Sequence, residues 1–412
     1  MGSSSPASAE PEADVLVVGA GPAGSATAAL LAAQGHRVLV AERSAFPRDK
    51  ACSEYMSPET VRMLDRLDAL GALERSGAVA VAGTSVTAIR GNALEGRFAG
   101  APTPPWRPTG LAVARRVLDS ILMDVARNAG ATVLERTTFE SLMRDDDGRV
   151  VGAMVRDRSG KQCEVRAQLT VGADGLRSRV ARALGPRRYG WPRRLAFVAH
   201  VRDVAGLQDV AELHVGGAGY VGLNPIGHGI ANVALVVPAR AGERATGRVA
   251  DFFFESLEHY PGVRGRVPRA ALVRDVLVTG PFAARTARVT VPGALLVGDA
   301  AEFFDPFTGE GICSALRGAE LVAETVGDCI GDRAALDRAL FQYRRERRRH
   351  FGGRRIVERL IGWSMEWPAW FDRAVERIGR RPGMADTLVG VTGACIPARY
   401  VLNPSFLLRM VL

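Results

Sequence analysis

Asp14-Val15-Leu16-Val17-Val18-Gly19-Ala20-Gly21-Pro22-Ala23-Gly24 is the stretch from which the fold can be read. Its β-branched run predicts a strand, its glycines a tight turn, and the Ala/Leu segment Ser25 to Ala33, which has no breaker, a helix. Gly19 permits the turn, Gly21 lets the backbone approach a pyrophosphate, and Gly24 lets helix and strand pack closely. Pro22 and Ala23 open the helix, whose free N–H groups and partial positive charge suit phosphate. A second strand, Arg37 to Ala41, ends in Glu42, 23 positions after Gly19, where a carboxylate accepts hydrogen bonds from an adenosine ribose; Arg43 beside it joins the expected cofactor set.

The same glycine spacing recurs at Gly217-Ala218-Gly219-Tyr220-Val221-Gly222, but between the strand-like runs Ala211 to Val215 and Ile230 to Val237. No helix follows, so this copy predicts a hairpin or loop and no nucleotide site. Farther on, Val291 to Val297 reads as one strand ending in Gly298-Asp299-Ala300-Ala301. After it come Phe304-Asp305-Pro306-Phe307-Thr308-Gly309-Glu310-Gly311-Ile312 and a helix with one apolar face, Ile312, Ala315, Leu316, Ala319, Val322, Ala323 and Val326. The helix N-terminus then points at whatever lies over Pro306, Gly309 and Gly311. An isoalloxazine ring fits there, with the helix potential stabilising an anionic reduced flavin and Asp299 holding ribityl hydroxyls.

With these motifs in this order, the chain resembles the glutathione-reductase-type FAD-dependent oxidoreductases that include the aromatic-ring hydroxylases, flavin halogenases and geranylgeranyl reductases, over roughly Asp14 to Val326. The resemblance implies FAD as cofactor. It also covers Gly172-Ala173-Asp174-Gly175-Leu176-Arg177-Ser178, in which Asp174 resembles a residue structuring the flavin and pyridine-nucleotide region, and Arg115, which matches an arginine reaching the FAD pyrophosphate or ribityl chain. Arg116 reads as an exposed helix arginine. The fold class expected is α/β: a Rossmann-type FAD-binding domain (residues 12–82, 109–185 and 283–340) interleaved with a mostly antiparallel β-sheet substrate domain (83–108 and 186–282), then a C-terminal helical tail (341–412). Gly83 to Arg97, Leu195 to Val237 and Ala270 to Thr279 supply the sheet, which should roof the flavin and enclose a small-molecule substrate.

Members of this group use reduced flavin differently. A halogenase needs a lysine in the passage between flavin and substrate and a Trp-x-Trp-x-Ile-Pro segment; the chain has only Lys50 and Lys161, and Trp191-Pro192 does not match. Geranylgeranyl reductases carry a Cys-Gly-Glu-like segment where this chain has Cys52-Ser53-Glu54, and a tryptophan-bearing pocket segment where it has Gly219 to Pro225. Hydroxylation asks fewer dedicated side chains, because the oxygen chemistry is the flavin's own. The expectation is therefore a single-component monooxygenase using NADPH or NADH, hydroxylating or epoxidising an aromatic, polyketide or lipid-like molecule through a flavin C4a-hydroperoxide. An alkene reductase is the alternative and an electron carrier the third reading. His200, His214 and His228 fall on the roof, and none is named catalytic.

Composition sets the limits. In 412 residues the net charge is +10, carried almost wholly by arginine, yet the densest cluster, Arg344 to Arg355, has Tyr343, Phe351 and Ile356 spaced as a buried stripe, so a solvated helix face is expected and nucleic acid is not. Five scattered cysteines without metal spacing predict a reducing compartment, cytoplasmic location and no metal. Met1 to Glu12 reads as a flexible tail. No apolar run approaches the roughly 18 residues of a membrane span, which leaves peripheral membrane association open, as it does the oligomeric state. Trp363, Trp367 and Trp370 are expected in the core of the tail.

Overall fold

The computed structural model describes residues 13–217 and 219–411; the tail expected over Met1 to Glu12 lies outside them. Strand β1 (Ala13–Val18), helix α1 (Pro22–Ala33) and strand β2 (Val38–Glu42) form the opening unit. β1 sits at the centre of a parallel sheet, between β2 and the strand Gln162–Gly172, with Thr132–Glu135 outside β2 and Ala294–Leu296 outside Gln162–Gly172. Parallel neighbours bury both faces of such strands, which is why β1 reads as continuous Val and Leu and why Val15, Leu16 and Val17 are wholly excluded from solvent.

A second sheet of seven strands lies over the first unit. Its spatial order is Leu277–Thr279, Arg194–Arg202, Ile230–Pro238, Gly219–Pro225, Val210–Gly216, Gly83–Thr87, Ala93–Arg97, and every pairing is antiparallel except that between Val210–Gly216 and Gly83–Thr87. Two separate chain segments thus supply one roof. The helix Gly311–Val326 packs on α1, and the 32-residue helix Arg333–Ser364 runs on without a break through the expected division at residue 341 into the tail.

Three expectations are corrected. Val291 to Val297 is not one strand: Pro292-Gly293 folds it into the antiparallel pair Thr290–Val291 and Ala294–Leu296, because proline cannot donate to the ladder. The buried stripe of the arginine-rich helix follows Tyr343, Arg347 and Phe351, four residues apart, so Ile356 falls off it and is exposed. The tail buries Met365, Phe371, Val375 and Ile378 against the roof, whereas Trp363, Trp367 and Trp370 stand in solvent, where the helix ends at Ser364 and Pro368 begins the next.

Candidate functional site

One cavity of about 520 Å³ lies between the opening unit, the segment after Gly298 and the roof, and every expected cofactor residue except Gly24 lines it. At the turn between β1 and α1, Gly21 leaves open the approach to the first turn of α1; the nearest atoms to a side chain built there are guanidinium nitrogens of Arg48 and Arg115, at 3.9 and 4.0 Å. Two cations beside a helix N-terminus make a phosphate cradle. Arg115 is buried and bidentate on Asp119 at 2.6 and 2.8 Å, while Arg48 reaches Asp119 at 3.0 Å. Burial works against the Arg115 charge, but Asp119 and Cys52 outweigh it and hold the guanidinium above its ordinary value. Arg48 carries no sequence signal of its own, lying in an irregular stretch after β2. Arg116 is exposed, as its place on the helix suggests.

Glu42 closes this end. Its Oε2 accepts from Ala20 N at 2.8 Å and its Oε1 from Ser44 N at 2.9 Å, which ties the glycine turn to the end of β2, with Arg43 exposed at the rim. Asp174, on the cavity wall, accepts through Oδ2 from the backbone of Arg179 and Val180, and burial raises its carboxyl pKa. Two arginines sharing one buried carboxylate keep a net positive charge beside open backbone, which suits the pyrophosphate of FAD.

Gly298 and Asp299 form a 3-10 turn; Pro306, Gly309, Gly311 and Ile312 follow at the cavity wall, the last two opening the helix Gly311–Val326. Burial raises the Asp299 carboxyl, and Lys50, on the same wall, pulls it back. Asp305, just before this loop, accepts from Arg194 at 2.8 Å and from the Tyr220 hydroxyl, and Arg194 also pairs with Glu366. Flavin loop, roof and tail are thus locked by one buried cluster.

The segment Cys52-Ser53-Glu54 crosses the cavity and is anchored from below and above. Glu54 has φ of +60°, a conformation a non-glycine residue holds only where its surroundings over-determine it. They do: its carboxylate accepts from Arg115 N at 2.7 Å, His200 Nε2 at 2.6 Å and Asn232 Nδ2 at 2.9 Å. Cys52 and His200 carry no common signal in the sequence; Glu54, which links them, lies 146 residues from His200 and meets it only through the register of the roof sheet. None of the three roof histidines lines the cavity. His200 serves Glu54, His214 is held by Glu212 at 2.7 Å, and His228 contacts Ser76 O. The second glycine motif is the expected hairpin: Val210–Gly216 pairs with Gly219–Pro225, and Gly219, at φ +136°, lies so close to Val236 O that a side chain would reach 2.0 Å.

The family model described as FAD binding domain matches residues 12–359. Menaquinone reductase of Mycolicibacterium smegmatis is 32% identical over 333 residues, 76% of each chain. Digeranylgeranylglycerophospholipid reductase of Methanosarcina mazei is 31% identical, covering 77% of this chain and 75% of its own. Among solved structures, the myxobacterial chondrochloren halogenase superposes with a TM-score of 0.78 at 22% identity over 95% of this chain and 99% of its own. A geranylgeranyl bacteriochlorophyll reductase-like protein of Thermoplasma acidophilum gives 0.76 at 22% identity, covering 97% and 98%.

Proposed function

This chain belongs to the FAD binding domain family and is an FAD-dependent oxidoreductase, and from that premise we propose that it saturates a carbon–carbon double bond in an isoprenoid-like lipid, with NADPH or NADH as the reductant. The observation that carries this reading is the docked Cys52-Ser53-Glu54 segment, which sets a thiol on the cavity wall beside the Arg115 guanidinium. The names of the menaquinone and digeranylgeranylglycerophospholipid reductases support the substrate class.

FAD, when bound and reduced, supplies the electron pair. The residues of the chain do the rest. The Cys52 thiol holds the proton that one alkene carbon takes up, and solvent restores it afterwards. Glu54, fixed by His200 and Asn232, keeps the segment in place, while Val198, Leu213, Val236, Leu277 and Phe282 exclude water from the apolar part of the cavity.

The test is a single turnover: reduce the FAD-loaded protein without oxygen, add geranylgeraniol, and weigh the product. The expected result is a gain of two hydrogens, with Cys52→Ala slowing the step by about a hundredfold or more. An unchanged alkene, together with an oxygenated product once air is admitted, would replace this reading by the monooxygenase one. The observation that favours that second reading is the roof segment Gly219 to Pro225, which lacks the tryptophan of those reductases' pocket segment.

A further inference from the structure

We propose that Arg347 and Arg355, on the face of the helix Arg333–Ser364 turned toward the flavin loop, form a seat for a phosphate-like oxyanion in a small cavity behind that loop. The seat stands apart from the substrate reading above.

The cavity, of about 60 Å³, shares a wall with the cofactor cavity: Gly298, Asp299, Thr308 and Gly311 line both. Its other wall is the long helix, which brings Arg347, Phe351 and Arg355 to it at four-residue steps. Both guanidinium groups lie over the Phe351 ring, 5.0 and 5.9 Å from its centroid, so two like charges are held one turn to either side of the same side chain. Arg347 is only 6% exposed. Its guanidinium makes no hydrogen bond or ion pair among the described residues, yet none of its nitrogens is sealed from solvent, as nitrogens of Arg48, Arg149, Arg187 and Arg274 are. Its free N–H groups therefore open on the cavity it lines.

The carboxyl groups nearby are committed elsewhere. Asp305 is bound to Arg194, and Asp299 draws on Lys50 and Arg115 across the loop. Glu310 takes Arg354, and Glu302 is divided between Arg355 at 2.9 Å and Arg359 at 3.6 Å. Burial raises the Glu358 carboxyl toward its neutral form, and Glu358 stands eleven residues from Arg347, roughly 16 Å farther along the helix. The missing counter-charge is felt at Arg355, where burial first and then the charge of Arg347 bring the guanidinium down to about 10. A buried cation without a partner is far costlier than a lost hydrogen bond, and an anion between the two forks removes that cost.

The donors select its shape. Guanidinium forks match an oxyanion through paired N–H···O bonds, and Ser314, half-buried on the facing helix with its hydroxyl unbonded among the described residues, adds one more donor. The cavity has room for the ion itself, with little for a body attached to it.

The experiment titrates inorganic phosphate into FAD-loaded protein by calorimetry, with sodium gluconate holding the ionic strength constant. One site per chain is expected. Arg347→Met should weaken it by about tenfold or more, while Arg349→Met, on the outward face of the same helix, should leave it unchanged. Glycerol 3-phosphate distinguishes the source: weaker binding assigns the seat to a free oxyanion, and equal binding assigns it to the phosphate of a larger molecule. No phosphate binding by the unaltered protein would overturn the seat. So would binding that survives Arg347→Met, or binding weakened as much by Arg349→Met, which would mark general attraction to surface charge. Should Arg347→Met fail to fold or lose its FAD, Arg355→Gln carries the same test with the same outcomes.

Discussion

Gly21 and Gly24 stand three residues apart in the same motif and do different work. A side chain at Gly24 would meet Gly19 O at 1.8 Å, backbone against backbone, so the requirement there is the close packing of α1 on the end of β1. A side chain at Gly21 meets only flexible guanidinium groups at 3.9 and 4.0 Å, in the space assigned to phosphate. The two substitutions should therefore separate. Gly24→Ala is expected to cost about 1–3 kcal/mol of stability through overpacking. Gly21→Val should stay within roughly 0.5 kcal/mol of the parent yet bind FAD at least about tenfold more weakly. Thermal melts of the apo proteins together with flavin titration check both; a Gly21→Val protein with full FAD affinity would move the phosphate site elsewhere.

At the scale of elements, the helix Gly311–Val326 carries Cys313 in its first turn, buried against α1 and its neighbours. Burial pushes that thiol up to about 12, against an ordinary 9.0. With the folded value above the unfolded one, the stabilising contribution is whole below pH 9 and drains away as pH climbs toward 12, at roughly 1.4 kcal/mol per pH unit. Denaturant melts should be insensitive to this group from pH 7 to 8.5 and fall beyond. At pH 8, iodoacetamide should modify Cys52, which lines the cavity, and spare Cys313; FAD should slow the reaction at Cys52. Equal labelling of the two would contradict the burial of this helix. The helix itself was legible from its apolar spacing, as were β1, α1, β2 and the hairpin that carries the second glycine motif, because each is a local pattern of five to sixteen residues. What escaped was non-local or decided by a single turn: Pro292-Gly293 splitting a strand, Arg48 reaching the phosphate cradle from an irregular segment, and the meeting of Glu54 with His200 and Asn232, which only the register of the roof sheet brings about. The tail tryptophans failed for a related reason, since hydrophobic content says that a face is apolar but not what covers it.

Those tryptophans belong to a feature of the whole molecule. Along the helix Arg333–Ser364 and across its end, Phe341, Arg345, Arg349, Ile356, Leu360, Trp363 and Trp367 recur at three-, four- and seven-residue steps, so they share one outward face. Ile356 is 50% exposed, Leu360 45%, Trp363 44% and Trp367 69%, and the Arg345 and Arg349 side chains are more exposed still, at 78% and 79%. Trp191, which accepts the Trp363 indole hydrogen bond through its carbonyl, widens the apolar end. A helix with aromatic and aliphatic side chains beside arginines on its free face suits the boundary of an anionic bilayer, where each arginine near the surface contributes about 1 kcal/mol. The association we propose is peripheral; no helix among the described residues is long and apolar enough to cross a membrane. It would present a lipid substrate to an enzyme with an overall charge of +10. Vesicles containing a phosphatidylserine fraction should sediment the protein and shift its tryptophan emission to the blue, while phosphatidylcholine vesicles and added salt should weaken both effects. Replacing Trp363 and Trp367 together by alanine should lower the partition coefficient by about tenfold or more, at roughly 25 cal/mol per Å² of apolar area withdrawn from the interface, and leave FAD content unchanged. If the double variant binds vesicles as the parent does, or if sedimentation shows this face buried in a dimer that ignores lipid, the stripe covers a second copy of the chain and the membrane assignment fails.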